Sequence, residues 1–235
     1  MRMNASPPRG FTLIELLVAI SIMAVMAVLS WRGLDGMTKA QTLLQQRADE
    51  VLTVQSGLAQ WGADLDAMIQ LPQTQALEWD GRALRLTRQS PGDEGVVVVA
   101  WSRRDIDGTG QWLRWQSPPL RTRGDFQTAW SAAAQWAQNP GDDLKKREVR
   151  LGPLSQWQIF YFRNDAWTNP LSSSDAPLTG SAANIATALA IAIPSTVASA
   201  VPEGVRLVLT LPPGQAISGV LTRDWLRPTL GGGKS

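Results

Sequence analysis

One carboxylate near the N-terminus stands where a charge is costly. Residues 10–15 read Gly-Phe-Thr-Leu-Ile-Glu, and Glu15 is the only charged residue of the apolar stretch 11–31. As a helix rising about 1.5 Å per residue, this stretch would span roughly 30 Å, the thickness of a bilayer hydrocarbon core. A carboxylate there costs roughly 2.5–3.5 kcal/mol on insertion scales. The sequence therefore predicts a function for Glu15 and a positively charged partner.

Cleavage of the Gly10–Phe11 bond would create that partner. The new α-amine at Phe11 would lie four residues before Glu15. In a membrane, Glu15 would attract the freed amine of an adjacent subunit, because opposite charges attract strongly at low dielectric, although desolvation offsets much of the gain. A cut at Gly10–Phe11 would thus supply the positive charge that Glu15 requires.

The charges that flank the apolar stretch predict its orientation. Segment 1–10 contains Arg2 and Arg9 and no acidic residue. Positively charged flanks stay in the cytoplasm, so the chain after Trp31 is predicted to lie outside the inner membrane as a single-pass protein. A secretory signal peptide has its small residues after the apolar run, whereas here Gly10 precedes the run, which is therefore expected to remain in the mature protein.

This motif resembles the type IV prepilin signal, which consists of a short basic leader, Gly, Phe, Thr, Leu, Ile, Glu and an apolar helix. The resemblance implies that a prepilin peptidase removes the leader, residues 1–10, by cutting between Gly10 and Phe11. It also implies N-methylation of Phe11. Glu15 then takes the role of the assembly carboxylate that pairs with an N-terminal amine.

The composition argues against several kinds of chemistry. The chain has no His and no Cys, which removes disulfides, thiolate nucleophiles, imidazole bases and the usual zinc sites. The acidic pairs Asp64/Asp66 and Asp142/Asp143 have no neighbours in the sequence that would make an acid–base pair. We expect no enzymatic activity, no cofactor and no metal site.

The charge balance argues against nucleic-acid binding. The whole chain has 22 basic and 20 acidic residues. Loss of Arg2 and Arg9 with the leader leaves 20 of each. A mature chain with no net charge gives no electrostatic reason to bind nucleic acid. The expected non-protein partner is the lipid of the inner membrane.

A second helical pattern follows the apolar stretch. Apolar residues recur at spacings of three, four or seven, which predicts an amphipathic helix over 32–71 that continues the membrane helix and stops before Pro72. The stripe consists of Leu34, Met37, Leu44, Ala48, Val51, Leu58, Leu65 and Ile69. From Leu44 onward we expect this stripe to pack on the protein's own sheet.

Alternating segments predict an antiparallel β-sheet domain over 72–230. The turn Asp80-Gly81 between two of them, 76–79 and 82–87, is a strong hairpin signal. Further strands are predicted over 96–101, 111–115, 156–163, 205–211 and 217–226. A short helix with Asp125 as its N-cap is predicted over 125–139. The predicted fold class is α+β and pilin-like, with the long N-terminal helix packed on this domain.

Two segments fall outside this pattern. Segment 170–202 is rich in Ser, Ala, Thr and Pro and is predicted to be an insertion. It would form either a surface loop or an apolar contact for a neighbouring subunit. Segment 231–235, Gly-Gly-Gly-Lys-Ser, is predicted to be a flexible tail, since no helix follows that would make it a phosphate-binding loop.

Segments beyond the signal resemble the J-type minor pseudopilin of type II secretion. These segments are 30–35, 157–163, 165–167, 205–211 and 221–223. The resemblance implies a tip subunit that joins the I-type and K-type minor pseudopilins and the major pseudopilin. Such a tip primes a periplasmic pseudopilus, which helps to push folded proteins through an outer-membrane secretin.

Two alternatives remain open. A minor pilin of a type IV pilus would carry the same signal, and gene neighbours would separate it from a pseudopilin. A membrane-anchored glycan-binding domain would present some of the eleven tryptophans as a platform for sugars. Core and cross-strand packing is the commoner use of tryptophan in strands, and we expect it here.

Overall fold

A computed structural model describes residues 10–90, 92, 95–171 and 201–228. The predictions for leader residues 1–9, for 172–200 of the insertion and for tail 231–235 lie outside the described residues. The helices are α1 (Leu13–Asp66), α2 (Arg123–Gln138) and α3 (Asp142–Lys145). The strands are β1 (Leu77–Trp79), β2 (Ala83–Gln89), β3 (Val96–Ile106), β4 (Thr109–Gln116), β5 (Glu148–Pro153), β6 (Gln156–Arg163), β7 (Ala166–Thr168), β8 (Gly204–Leu211) and β9 (Gly219–Leu226).

The chain divides into two compact units, residues 1–49 and 50–235. In the first unit every described residue is exposed, and the chain is helical from Leu13 onward. Among the described residues, α1 is the one helix long and apolar enough, by length and composition, to cross a membrane. The apolar part of α1, which contains Glu15 as its one charged residue up to Trp31, agrees with the predicted anchor.

In the second unit, the end of α1 packs into the core. Gly57, Trp61, Asp64 and Leu65 are buried there. Val54 and Leu58 are partly buried against the same core. The packed face is thus made of residues three or four apart, as expected for one side of a helix.

The predicted stripe was wrong at its start. Leu44 is 67% exposed and Ala48 is exposed as well, so core packing begins only after residue 50. The end of the helix also differs, because α1 stops at Asp66 rather than at 71. The backbone N–H of Ile69 donates to the carbonyl of Thr87 in β2, at 3.0 Å. This part of the chain therefore pairs with a strand instead of continuing the helix.

The first sheet has five antiparallel strands in the order β1-β2-β3-β4-β5. The predicted hairpin is confirmed, but its connection is longer than the predicted two residues, because Trp79 lies opposite Leu84 and β2 begins at Ala83 rather than at 82. The Asp80 carboxylate accepts hydrogen bonds from the backbone N–H groups of Arg82 and Ala83, at 2.9 and 2.8 Å. Gly81 has φ +88°, a conformation that glycine adopts without strain.

The second sheet has four antiparallel strands in the order β7-β6-β8-β9. The predicted strands over 156–163 and 205–211 are confirmed as β6 and β8. The last predicted strand begins at Gly219 rather than at 217. Strands β5 and β7 and the four-residue helix α3 were not predicted, since each is too short or too polar to show a clear period.

Two clusters of buried side chains hold the second unit together. One contains residues of α1 and of both sheets, and it includes Trp61, Trp101 and Leu207. The other joins the opposite face of the first sheet to α2, and it includes Trp115 and Trp136. The second unit is therefore α+β, with a helix on each side of the five-stranded sheet.

The start of α2 corrects one predicted cap. Thr122, not Asp125, is the N-cap residue, and Asp125 is the third residue of the helix. The Thr122 hydroxyl accepts from the Asp125 N–H, and the Asp125 carboxylate accepts from the Thr122 N–H, both at 3.1 Å. This reciprocal arrangement is a capping box, a pattern in which the acid follows the cap by three residues.

Candidate processing and assembly site

The predicted cleavage site lies in exposed backbone just before α1. Gly10, Phe11 and Thr12 have no regular secondary structure, and Phe11 is 90% exposed. A Cβ placed on Gly10 would meet no atom within 4 Å. The fold itself therefore does not require glycine at this position. Any requirement for a small residue would come from the enzyme that cuts the bond.

Thr12 and Glu15 form a capping box at the start of α1. The Glu15 carboxylate accepts hydrogen bonds from the backbone N–H and the hydroxyl of Thr12, both at 3.0 Å. The Thr12 hydroxyl in turn lies 3.3 Å from the Glu15 N–H, which donates to it. This role was not predicted, although Thr-x-x-Glu ahead of an apolar run is the signature of the motif.

Phe11 and Glu15 are brought together on one face of the helix. They line a shallow groove of about 370 Å³ whose walls are otherwise apolar, formed by Phe11, Ile14, Glu15, Val18, Ala19 and Ile22. Gly10 does not line this groove. Glu15 is thus a carboxylate with an apolar surround, and a cation from another helix that covered this groove would interact with it strongly.

The same segment matches a known family model. The model is described as the prokaryotic N-terminal methylation motif, and it matches residues 6–31. The chain thus has the N-terminus of a type IV pilin-like protein. The match contains Gly10, Phe11 and Glu15 together with the apolar stretch, and it supports a pilin or a pseudopilin. No curated protein matches the chain.

A second carboxylate on α1 was also overlooked. Asp64 is fully buried, although we predicted no partners for it. It accepts hydrogen bonds from Trp101 Nε1 at 2.9 Å and from Arg114 Nε at 2.7 Å, and it pairs with Arg88. The signal that could have found it is its place between Trp61 and Leu65, on the apolar face of the helix.

Two further predictions concern the acidic residues and the tryptophans of the second unit. Within the described ranges, no group of three or more acidic residues is placed to hold a metal ion. The tryptophans serve mainly as core, as predicted, with Trp101, Trp112 and Trp115 at most 3% exposed. Trp157 packs edge-on against Trp79, with ring centroids 4.8 Å apart. Both of these rings are half-buried and pack against the core, which favours packing over an open platform for sugars.

Proposed function

We propose that the chain is a J-type minor pseudopilin of a type II secretion system, a tip subunit that helps to initiate the pseudopilus. The observation that carries the proposal is the methylation motif at residues 6–31 on an exposed apolar helix. The resemblance beyond the motif supports the J type. Four of its five segments, 157–163, 165–167, 205–211 and 221–223, fall in β6, β7, β8 and β9 or in the turn between β6 and β7. They therefore form one sheet.

The proposed mechanism begins with processing. A prepilin peptidase removes the leader at the Gly10–Phe11 bond, and the new N-terminus of Phe11 is methylated. The amine remains positively charged after methylation. The protein stays anchored by α1 in the inner membrane, with the leader side in the cytoplasm and the second unit in the periplasm.

Assembly then depends on an exchange of partners at Glu15. In the single chain the carboxylate is held by Thr12 through neutral donors. The N-terminal amine of an adjacent subunit offers a full opposite charge, and at the low dielectric of the membrane this charge attracts the carboxylate more strongly than a neutral donor does. Glu15 would therefore set the axial register between neighbouring membrane helices, while the apolar faces pack beside it.

The proposed partners are the I-type and K-type minor pseudopilins and the major pseudopilin. The role is structural rather than enzymatic, and it involves neither nucleic acid nor a cofactor. The driving event for the secreted protein is growth of the filament beneath the tip.

Co-purification of the full-length chain from membranes tests this proposal. The tagged protein is extracted in mild detergent from cells that also produce the candidate I-type and K-type partners. Recovery of both partners in a stable complex supports the J type. Recovery of pilus subunits instead, in a strain that has both systems, would show the protein to be a minor pilin of a type IV pilus, which would carry the same motif.

The glycan-binding alternative has its own measurement. A glycan array probed with the detergent-solubilised chain is expected to give no binding above that of an unrelated membrane-anchored control. Specific binding to one sugar class would make a binding domain the better account of the second unit.

A further inference from the structure

The buried carboxylate of Asp64 collects more partners than any other side chain among the described residues. It accepts five hydrogen bonds, and these come from Gln60 Nε2, Arg88 Nη1, Trp101 Nε1, Arg114 Nε and Arg114 Nη2. The donors outside α1 belong to three adjacent strands, β2, β3 and β4. The two carboxylate oxygens of Asp64 thus connect α1 by hydrogen bonds to the three central strands of the five-stranded sheet.

This network is an inefficient way to gain stability. A carboxylate and two guanidinium groups lose most of their hydration here, since Asp64 is fully buried and the side chains of Arg88 and Arg114 are each 12% exposed. Replacement of buried ion pairs by apolar side chains is often neutral or stabilising. The network also carries two positive charges against one negative charge. Something other than stability is the better explanation for it.

The contacts around Asp64 show what that explanation is. The rest of the packed helix face is apolar, with Val54, Leu58, Trp61 and Leu65 at spacings of three or four. Apolar contacts are not directional, so a helix shifted by one turn would bury a similar surface. Hydrogen bonds to a single carboxylate are directional and are lost on such a shift.

We propose that Asp64 is a positioning residue that fixes the register of α1 on the five-stranded sheet. α1 is one continuous helix from Leu13 to Asp66. If α1 packed on the sheet in two registers, the subunit would exist in two conformations, and a partner would meet two different surfaces. A unique register is thus needed for ordered assembly. Only this consequence for assembly rests on the proposed function, whereas the register itself does not.

Other contacts also tie this end of α1 to the sheets, since Trp225 Nε1 donates to the Asp66 carboxylate at 2.8 Å and the backbone of Ala67 and Ile69 bonds to β2. On the packed face of the helix itself, one contact competes with Asp64 for the same role. A Cβ on Gly57 would lie 2.6 Å from Cζ3 of Trp112, so the indole ring rests in a notch that a larger residue would fill. This notch would fix the register of α1 by shape, whereas Asp64 would fix it by charge and hydrogen bonding. The test must therefore leave Gly57 in place and remove only the polar network.

The test is the triple variant Asp64→Leu/Arg88→Met/Arg114→Met in the full-length chain. It removes the network without leaving a buried charge unpaired. It does leave Trp101 Nε1 without an acceptor, but Trp61 Nε1 and Trp112 Nε1 are already buried without a hydrogen-bond partner. We expect the variant to fold with an unchanged or higher melting temperature.

The register is read by cysteine crosslinking, which is clean because the chain has no cysteine. The reporter pair is Glu50→Cys with Ala216→Cys, since the Glu50 carboxylate accepts from the Ala216 N–H at 2.7 Å. Two further pairs join Ala216→Cys to Arg47→Cys or Thr53→Cys, which are one turn on either side of Glu50. A short bifunctional thiol reagent is applied to each pair in detergent-solubilised protein.

In the parent chain we expect residue 50 to give the highest yield of the three. In the triple variant we expect that yield to fall and the yield of one neighbouring pair to rise, so that their ratio approaches one. The matched control, Arg104→Met/Glu148→Met, removes a half-buried pair of the same sheet that does not contact α1. It should keep the parental ratio.

A parental ratio in the folded triple variant would overturn the proposal, because the Gly57–Trp112 notch would then be sufficient. If the triple variant does not fold, Asp64→Asn decides, since it keeps the shape of the side chain and removes its charge. A folded Asp64→Asn variant with the parental ratio, or an Asp64→Asn variant that also fails to fold, would assign Asp64 to stability rather than to register. If the ratio falls while co-purification fails even for the parent, the proposed function is wrong and the register role stands.

Discussion

The two ends of α1 each carry a carboxylate, and the two are held in opposite ways. Glu15 is exposed, and both groups that donate to its carboxylate belong to Thr12, three residues away. Asp64 is fully buried and is held by donors from four elements of the fold. One carboxylate is satisfied only locally, whereas the other is satisfied by the whole domain.

This difference indicates that Glu15 is free to bind a partner outside its own chain, whereas the partners of Asp64 are fixed within the domain. A local cap is worth about 1 kcal/mol and is readily exchanged for a stronger partner. A buried carboxylate between two arginines cannot exchange partners unless the domain opens. The contrast fits the proposal that Glu15 makes contacts between subunits, whereas the contacts of Asp64 lie within one subunit.

The largest effect is expected from removal of the partner that Glu15 awaits. Gly10→Arg should leave residues 1–10 attached, because a long charged side chain should not fit an enzyme site that requires a small residue. The fold should be unaffected, since the space beside Gly10 is open. Mass spectrometry of the protein extracted from membranes checks this. Normal removal of the leader from the variant would refute the assignment of Gly10.

The second prediction concerns Asp64, the buried carboxylate. Asp64→Ala leaves Arg88 and Arg114 buried without their carboxylate, so we expect a loss of roughly 3–5 kcal/mol in the free energy of unfolding. Chemical denaturation of the full-length protein in detergent measures it. The control is Asp143→Ala, whose carboxylate is 93% exposed and paired only with Lys146. That change should cost less than about 0.5 kcal/mol.

A third change calibrates what a cap is worth in this chain. Thr122→Ala removes the hydroxyl that caps α2, and we expect it to lower the free energy of unfolding by about 1 kcal/mol. The same denaturation assay applies. The same reciprocal bonds form the Thr12–Glu15 box. The loss in the free energy of unfolding measured here therefore estimates what Glu15 would contribute if it acted only as a cap. A loss above about 3 kcal/mol would mean that caps in this protein are too strong for that use.

The smallest effect concerns a carboxylate on the surface. The hydrogen bonds from Arg206, followed by its charge, hold the pKa of Asp224 below its ordinary value. The folded state thus binds this proton less readily than the unfolded state, and the pair stabilises the fold above about pH 4 and less so as the pH falls toward the lowered pKa. Asp224→Asn should slightly flatten the loss of stability below about pH 4 in acid denaturation. An acid limb steeper than that of the parent chain would contradict the sign.

The sequence predicted the second unit best where patterns are local. The hairpin at Asp80-Gly81 followed from turn chemistry, and the strand at 156–163 followed from its composition and length. Short elements such as β5 and β7 exist through pairing with neighbouring strands, and that pairing has no local pattern.

The candidate site shows the same division. Gly10, Phe11 and Glu15 could be identified because their spacing is itself the signal. The Thr12–Glu15 cap could have been predicted from Thr-x-x-Glu, but Glu15 was interpreted only as a charge in an apolar run. The partners of Asp64 outside α1 lie 24 to 50 residues further along the chain, so tertiary structure alone brings them together.

The central claim is that Glu15 acts between subunits, and one paired measurement tests it most directly. Glu15→Ala and Thr12→Val are compared in strains that carry only the variant, by release of secreted protein and by crosslinking between membrane helices. Each variant loses part of the capping box: Glu15→Ala removes the carboxylate that accepts from Thr12, and Thr12→Val removes the hydroxyl but keeps the backbone N–H that donates to Glu15. Only Glu15→Ala loses the charge. We predict that both are cleaved and inserted. Glu15→Ala should weaken the pairing equilibrium by about 3–5 kcal/mol, or a few hundredfold or more, and should lose crosslinking and release accordingly. Thr12→Val should lose far less. Equal and small losses in the two variants would show that Glu15 only caps the helix.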